Sequence, residues 1–158
     1  AKKAPALRPV ADEMFVAGLL HDVGRIAMCE FYPRMATAIE SAPDVSLEPA
    51  FEREHLGIDH QQVGGIVRER WGLPEELAGA ITRHHDPVEA IADDPLVLGV
   101  ALIDTALELR GFARTVKVTR WSGRVESLAR ALGIDVERVD AVLAEIDDEV
   151  SSLAGTFA

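Results

Sequence analysis

Apolar residues recur along this chain at steps of three and four, the spacing that gathers them on one face of an α-helix. The clearest run is the last. Val136, Val139, Val142, Leu143, Ile146, Val150 and Leu153 form one stripe, and Asp140, Glu145, Asp147, Asp148 and Glu149 lie largely off it. That pattern predicts an amphipathic helix with a solvated acidic face. Val116 to Thr119 is the best strand candidate, and it is too short to require a sheet. Helices are expected near 11–29, 33–41, 47–56, 60–71, 74–85, 95–110, 124–132 and 136–153.

Punctuation between these segments supports helix after helix. Leu-Gly-Ile-Asp occurs at 56–59 and again at 132–135. Gly57 and Gly133 can take the left-handed helix stop, and Asp59 and Asp135 can cap the helices that follow. Pro74, just after Gly72, suits a first helical position that needs no N–H. Two segments are apolar nearly all round. One holds Met14, Phe15, Val16, Leu19, Leu20, Val23, Ile26 and Met28; the other holds Leu96, Val97, Leu98, Val100, Leu102, Ile103, Leu107 and Leu109. Such helices are expected at the centre of a fold. The reading is an all-α, compact multi-helix bundle: a frayed arm over 1–10, then one domain over 11–158.

Charge and composition narrow the function classes. The 158 residues carry 27 acidic and 16 basic side chains, for a net charge of -11, so a general nucleic-acid binder is disfavoured. One cysteine, Cys29, excludes an internal disulfide and a thiolate zinc cluster. Lys2 and Lys3 precede an apolar stretch as in a signal peptide, but Asp12 and Glu13 interrupt it and His21-Asp22 stand where small residues should. The longest apolar run, Leu96 to Ile103, is far short of a membrane span. A soluble, cytoplasmic protein is expected. The chain begins at Ala1 rather than Met, which points to a segment upstream.

The polar residues inside the two apolar helices carry the chemistry. His21 and Asp22 interrupt the first, and Asp104 the second, with no basic residue between Pro95 and Leu109 to pair with it. A buried carboxylate must be paired, protonated or metal-bound. The available partners are His21, His60, His84 and His85. On one helix His21 and Asp22 diverge by about 100 degrees, so a shared ion would have to lie over the seam between them. Histidines and carboxylates of this kind suit Fe, Mn or Zn, and two such ions could clamp a phosphoryl group. A buried histidine–carboxylate hydrogen bond is the plain alternative for His21, Asp22 and Asp104. A favourable place at a helix C-terminus is the alternative for His84-His85. His55 reads as a surface residue, and Trp71 as a core residue ahead of its Gly-Leu-Pro joint.

GLLHDVGRIAM at 18–28 resembles the signature of the HD superfamily of helical metal-dependent phosphohydrolases. Residues 52–85, EREHLGIDHQQVGGIVRERWGLPEELAGAITRHH, resemble the HD-related output domain (HDOD) branch through Gly57, Asp59-His60, Gly64, Trp71-Gly72-Leu73-Pro74 and His84-His85 in order. The resemblance covers roughly residues 11–110. It implies an all-helical HD-type fold and a metal set of His21, Asp22, His60, His84 or His85, and Asp104. Arg25 stands where HD-GYP cousins carry a lysine near the phosphate. No histidine precedes His21, so the family's first ligand is expected in upstream helices that this chain lacks. After His84-His85 comes Asp86-Pro87 with no Gly-Tyr-Pro element, which speaks against cyclic dinucleotide phosphodiesterase activity of the HD-GYP kind.

Two functions follow. The first is a regulatory signal-transduction module that acts through a protein partner and keeps a partial metal site, filled or empty. The alternative is a metal-dependent phosphohydrolase acting on a nucleotide or cyclic dinucleotide, with Arg25 as a phosphate contact. Arg110, Arg114, Lys117, Arg120 and Arg124 form a run without an acid around Trp121. Arg114, Lys117, Arg120 and Trp121 are the candidate interaction residues. They read as a solvated loop or a patch for an acidic surface, ahead of a nucleic-acid contact.

Overall fold

The computed structural model describes residues 4–31, 49–110 and 123–156. They form helices α1 (Ala11–Leu20), α2 (Val23–Phe31), α3 (Pro49–Leu56), α4 (His60–Trp71), α5 (Ala78–Arg83), α6 (Pro95–Arg110), α7 (Gly123–Ala131) and α8 (Val136–Thr156), joined by short 3-10 turns. No strand occurs among the described residues, and the fold is all-α as expected. The expected segment 33–41, the strand candidate 116–119 and the interaction residues Arg114, Lys117, Arg120 and Trp121 lie outside the described residues. No helix among the described residues is long and apolar enough to cross a membrane.

Helix α6 is the axle, because its apolar circumference is covered on two sides. Val97, Leu98, Ala101, Leu102 and Ala106 join Val125 and Leu128 of α7 and Val139 and Leu143 of α8 in one core. Leu96 and Val100 join Ala17 of α1, Val23 of α2, and Ala80 and Ile81 of α5 in a second. The arm expected over 1–10 is built into the first core from Ala4 onward. Residues Pro5–Val10 form a 3-10 turn, with Leu7 buried. Gly99 makes room for this: a Cβ there would meet Leu7 and Met14 at 3.0 Å.

The other apolar segment is not central, contrary to its composition. Phe15 and Leu19 are 78% and 68% exposed, and Ile26 of α2 is exposed too. Only Ala17, Val23 and Met28 of this segment are fully enclosed apolar residues; Phe15, Leu19 and Ile26 face outward. Trp71, expected in the core, is 66% exposed at the end of α4.

Nor does one helix run through 11–29. It breaks at His21-Asp22. His21 N–H still bonds Ala17 O at 2.8 Å, but Arg25 N–H turns back to Asp22 O at 2.9 Å, a tighter step than the α-helical one. The chain re-aims there, and α2 runs closely against α4. At the crossing two glycines meet: a Cβ on Gly24 would lie 1.9 Å from His60 O and 2.6 Å from Gly64 N.

Capping chemistry sets where α4 starts and stops. Asp59 accepts from Gln62 N–H at 2.8 Å while Gln62 Oε1 accepts from Asp59 N–H at 3.1 Å, a reciprocal capping box. Gly57 and Gly72 take φ of 76° and 61°, the left-handed values anticipated for Gly57 and required by the stop at Trp71. The segment expected at 74–85 splits into a 3-10 turn, Glu75–Leu77, and α5, with Pro74 just ahead of the turn.

Candidate metal centre

Four separate parts of the chain deliver the predicted residues to one point. His21 and Asp22 sit at the α1–α2 break. His60 is the first residue of α4, directly after its Asp59 cap. His84 and His85 follow α5, His84 one turn beyond Ala80 and so on its buried side. Asp104 follows Val100 by four positions, which carries it to the α1/α5 side of α6.

The distances between them are short. His21 Nε2 is 3.5 Å from Asp104 Oδ1 and 3.7 Å from Asp22 Oδ2. Asp22 Oδ1 is 3.5 Å from His60 Nε2 and 3.6 Å from His84 Nε2. His85 Nε2 is 3.8 Å from Asp104 Oδ2. Asp104 thus finds its cationic or donor partners on other elements. His21 and Asp22 flank the space between them, with His21 Nε2 3.7 Å from Asp22 Oδ2.

Two overlapping ligand sets emerge, His60 with His84 and His85, and His21 with His84 and Asp104. Within each, one donor atom per residue lies within 4.8 Å of the others. Arg25 adds a guanidinium 3.1 Å from Asp22 Oδ2 and 3.4 Å from His85 Nε2. His55, by contrast, is an exposed residue stacked on Phe51.

Hydrogen bonds decide which ring nitrogens face inward. His21 Nδ1 lies 2.8 Å from Gly18 O, and His84 Nδ1 lies 2.7 Å from Ala80 O. A carbonyl only accepts, so each Nδ1 carries the proton. His60 Nδ1 lies 2.6 Å from Glu52 Oε2, an oxygen that also accepts from His60 N–H at 2.7 Å. The Nε2 atoms of His60 and His84, left as lone pairs, then face each other at 3.3 Å. His21 Nε2, Asp22 Oδ1 and Asp104 Oδ2 are buried with no hydrogen-bond partner. Converging lone pairs and orphaned carboxylate oxygens repel one another unless a cation sits among them, so the donor set fits a divalent metal.

For His84, His85, Asp22 and Asp104 the proton equilibria agree. Burial pushes His84 down, against the pull of Asp22, and burial with the His84 charge takes His85 down to about 3. Both rings are therefore neutral near pH 7 and offer lone pairs. Burial opposes ionisation of Asp22 and Asp104. The contact of Asp22 with His84 and the charge of Arg25, and the contact of Asp104 with His21, outweigh it and hold both below the ordinary carboxylate range. His21 alone moves up, because Asp104 and Asp22 overcome its burial.

A pH dependence follows for chelator-treated protein. His84 and His85 bind protons less readily folded than unfolded, so acidification below about pH 6.5 favours unfolding by at most about 1.4 kcal/mol per pH unit for each ring. Asp22 and Asp104 add to the loss below about pH 4. His21, shifted upward, has its stabilisation fully in place below pH ~6.5 and loses it only as the pH rises above that value, so it adds no slope in the acidic range. The urea midpoint is expected to fall steadily from pH 6.5 to 4, and His85→Gln to flatten the slope. A midpoint constant over that interval would contradict the assignment.

Two residues here carried no signal in the pattern of the chain. Glu52 lies in a polar helix, and only the turn at Gly57 brings it beneath His60, 1% exposed. Arg124 belongs to the basic run but turns inward from α7. It donates to His84 O at 2.8 Å and Asp86 O at 3.0 Å, holding the turn that bears both histidines. Beside His85 a cavity of about 350 Å³ is lined by Arg53, Gln61, Thr105, Glu108 and Arg124 among others.

A helical core that gathers a His-Asp pair, further histidines and a distant aspartate defines an HD-type domain. The HDOD domain model matches residues 1–87, more than half of the chain, and the chain belongs to that family. The match includes His84 and His85 and ends before Asp104. Among curated proteins the chain is similar to an uncharacterized protein of Treponema pallidum, 25% identical over 108 residues, which is 66% of this chain and 21% of that protein. It is also similar to ribonuclease Y of Thermus thermophilus, 29% identical over 114 residues, 72% of this chain and 15% of that protein. The chain thus spans about a fifth or less of the length of these relatives. No solved structure matches.

Proposed function

We propose that the chain is a regulatory HDOD module of a signalling pathway, acting through a protein partner, whose core binds a divalent cation. One observation carries the metal reading: His60 and His84, whose Nδ1 atoms are engaged by Glu52 and by Ala80 O, bring their Nε2 atoms within 3.3 Å of each other beside Asp22 Oδ1. His21, Asp22, His60, His84, His85 and Asp104 would hold the ion, and their mix of imidazole and carboxylate suits Fe, Mn or Zn. The regulatory reading rests on the family. Elemental analysis of protein purified without chelator is expected to find near-stoichiometric divalent metal. Protein that carries none, and takes up none from Mn(II), Fe(II) or Zn(II), would sink the proposal.

A second reading, a metal-dependent phosphohydrolase acting on a nucleotide or cyclic dinucleotide, is favoured by the cavity beside His85, with Arg53 and Arg124 in its wall. The relative named as a ribonuclease is in keeping with it. A bound cation would supply Lewis-acid activation of a phosphoester. In this reading Arg25, which lies against Asp22 and His85, would contact a phosphate oxygen. Metal-dependent hydrolysis of bis(p-nitrophenyl) phosphate that disappears in Arg25→Ala, with metal still bound, would establish this reading over the first.

A further inference from the structure

Of the contacts around the cluster, the one between Glu52 and His60 decides most. We propose that Glu52 is a positioning residue: it selects the tautomer of His60 and thereby keeps the cluster from closing on itself. The inference rests on the metal-binding reading for its purpose but not for its test.

Neutral histidine in water favours the proton on Nε2. In this fold that tautomer would point Nε2–H of His60 at the lone pair of His84 Nε2, 3.3 Å away. The two rings would then satisfy each other, and a cation would have to break their hydrogen bond to enter. Glu52 tips the choice the other way. Its Oε2 accepts from both His60 N–H and His60 Nδ1–H, at 2.7 and 2.6 Å. The backbone bond places the carboxylate at the N-terminus of α4, where the helix dipole favours negative charge. The ring bond then puts the imidazole proton on the outer nitrogen.

Chain geometry makes the placement rigid. Helix α3 ends at Leu56, Gly57 reverses the chain at φ 76°, and Asp59 caps α4, so residue 52 returns beneath residue 60. Glu52 and His60 are both buried. The second carboxylate oxygen, Oε1, makes no hydrogen bond and lies 3.7 Å from Arg25 Nε, on the arginine that reaches Asp22 and His85. One buried side chain thus bears on a histidine of the cluster and on the cation at its rim. A carboxylate behind a ligating histidine is the arrangement that fixes ring orientation and raises ligand basicity at metal sites.

The test reads the tautomer directly. Protein labelled with ¹⁵N-histidine and stripped of metal is observed by long-range ¹H–¹⁵N correlation at neutral pH, with the His60 ring identified by its loss in His60→Asn. Wild type is expected to show His60 protonated at Nδ1, and Glu52→Ala to move the proton to Nε2. Glu52→Gln, whose amide oxygen still accepts, is expected to keep it on Nδ1. Zn(II) affinity, measured against a competing chelator, is expected to fall by about 10–100-fold in Glu52→Ala and to recover largely in Glu52→Gln. A wild-type His60 protonated at Nε2 would overturn the inference without any variant. So would a Glu52→Ala protein, helical by circular dichroism, whose His60 proton stays on Nδ1. A Glu52-dependent tautomer in a protein that binds no Zn(II) would uphold the positioning role and refute the metal reading instead.

Discussion

Asp22→Ala is expected to abolish the proposed metal binding while leaving the helices standing. Asp22 faces both ligand sets: Oδ1 lies within 3.6 Å of His60 and His84, and Oδ2 lies toward His21 and Arg25. Removing an outer partner of a metal ligand costs about 10–100-fold in affinity, and removing a shared donor should cost more. The fold should survive, because Asp22 sits at a helix break with its side chain 29% exposed, apart from the two apolar cores. The check is metal content and Zn(II) affinity beside a thermal melt. Metal retained at wild-type affinity would show that Asp22 is no ligand.

Gly24→Ala is expected to be the most damaging added methyl among the described glycines. The new Cβ would lie 1.9 Å from the carbonyl oxygen of His60 and 2.6 Å from Gly64 N, both backbone atoms. No rotamer change relieves such a clash, so α2 must move off α4. Overpacking of this kind costs about 3 kcal/mol, or roughly 10 °C in melting temperature for a chain of this size. The shift also withdraws Asp22 and Arg25 from His60, so metal should be lost together with stability. Calorimetry and metal analysis on the same sample test both. A melting temperature within a degree of wild type would mean that the helices cross elsewhere.

Much of the architecture was legible because it depends on local chemistry. Apolar steps of three and four marked α4, α6, α7 and α8, and Gly57, Asp59 and Gly72 bounded α4 by rules of φ and capping that act within four residues. The isolated acid of α6 was equally legible, since Asp104 had no partner on its own helix and a buried carboxylate needs one. Composition misled where it was averaged over a segment. Eight large apolar residues over 14–28 suggested a central helix, yet Ala17 and Val23 face the core and Phe15 and Leu19 do not.

What the sequence determined by itself, then, was a helical fold, its joints, and the set of histidines and aspartates able to hold a cation. Tertiary structure alone decided how that set is armed. The break at His21-Asp22, the glycine crossing of α2 on α4, Glu52 behind His60 and Arg124 behind His84 each join residues on separate elements. Periodicity records which face of a helix is apolar. It carries no information on which nitrogen of the His60 ring bears the proton, because an acceptor eight positions away, the Glu52 carboxylate, sets that, and only folding brings the two together.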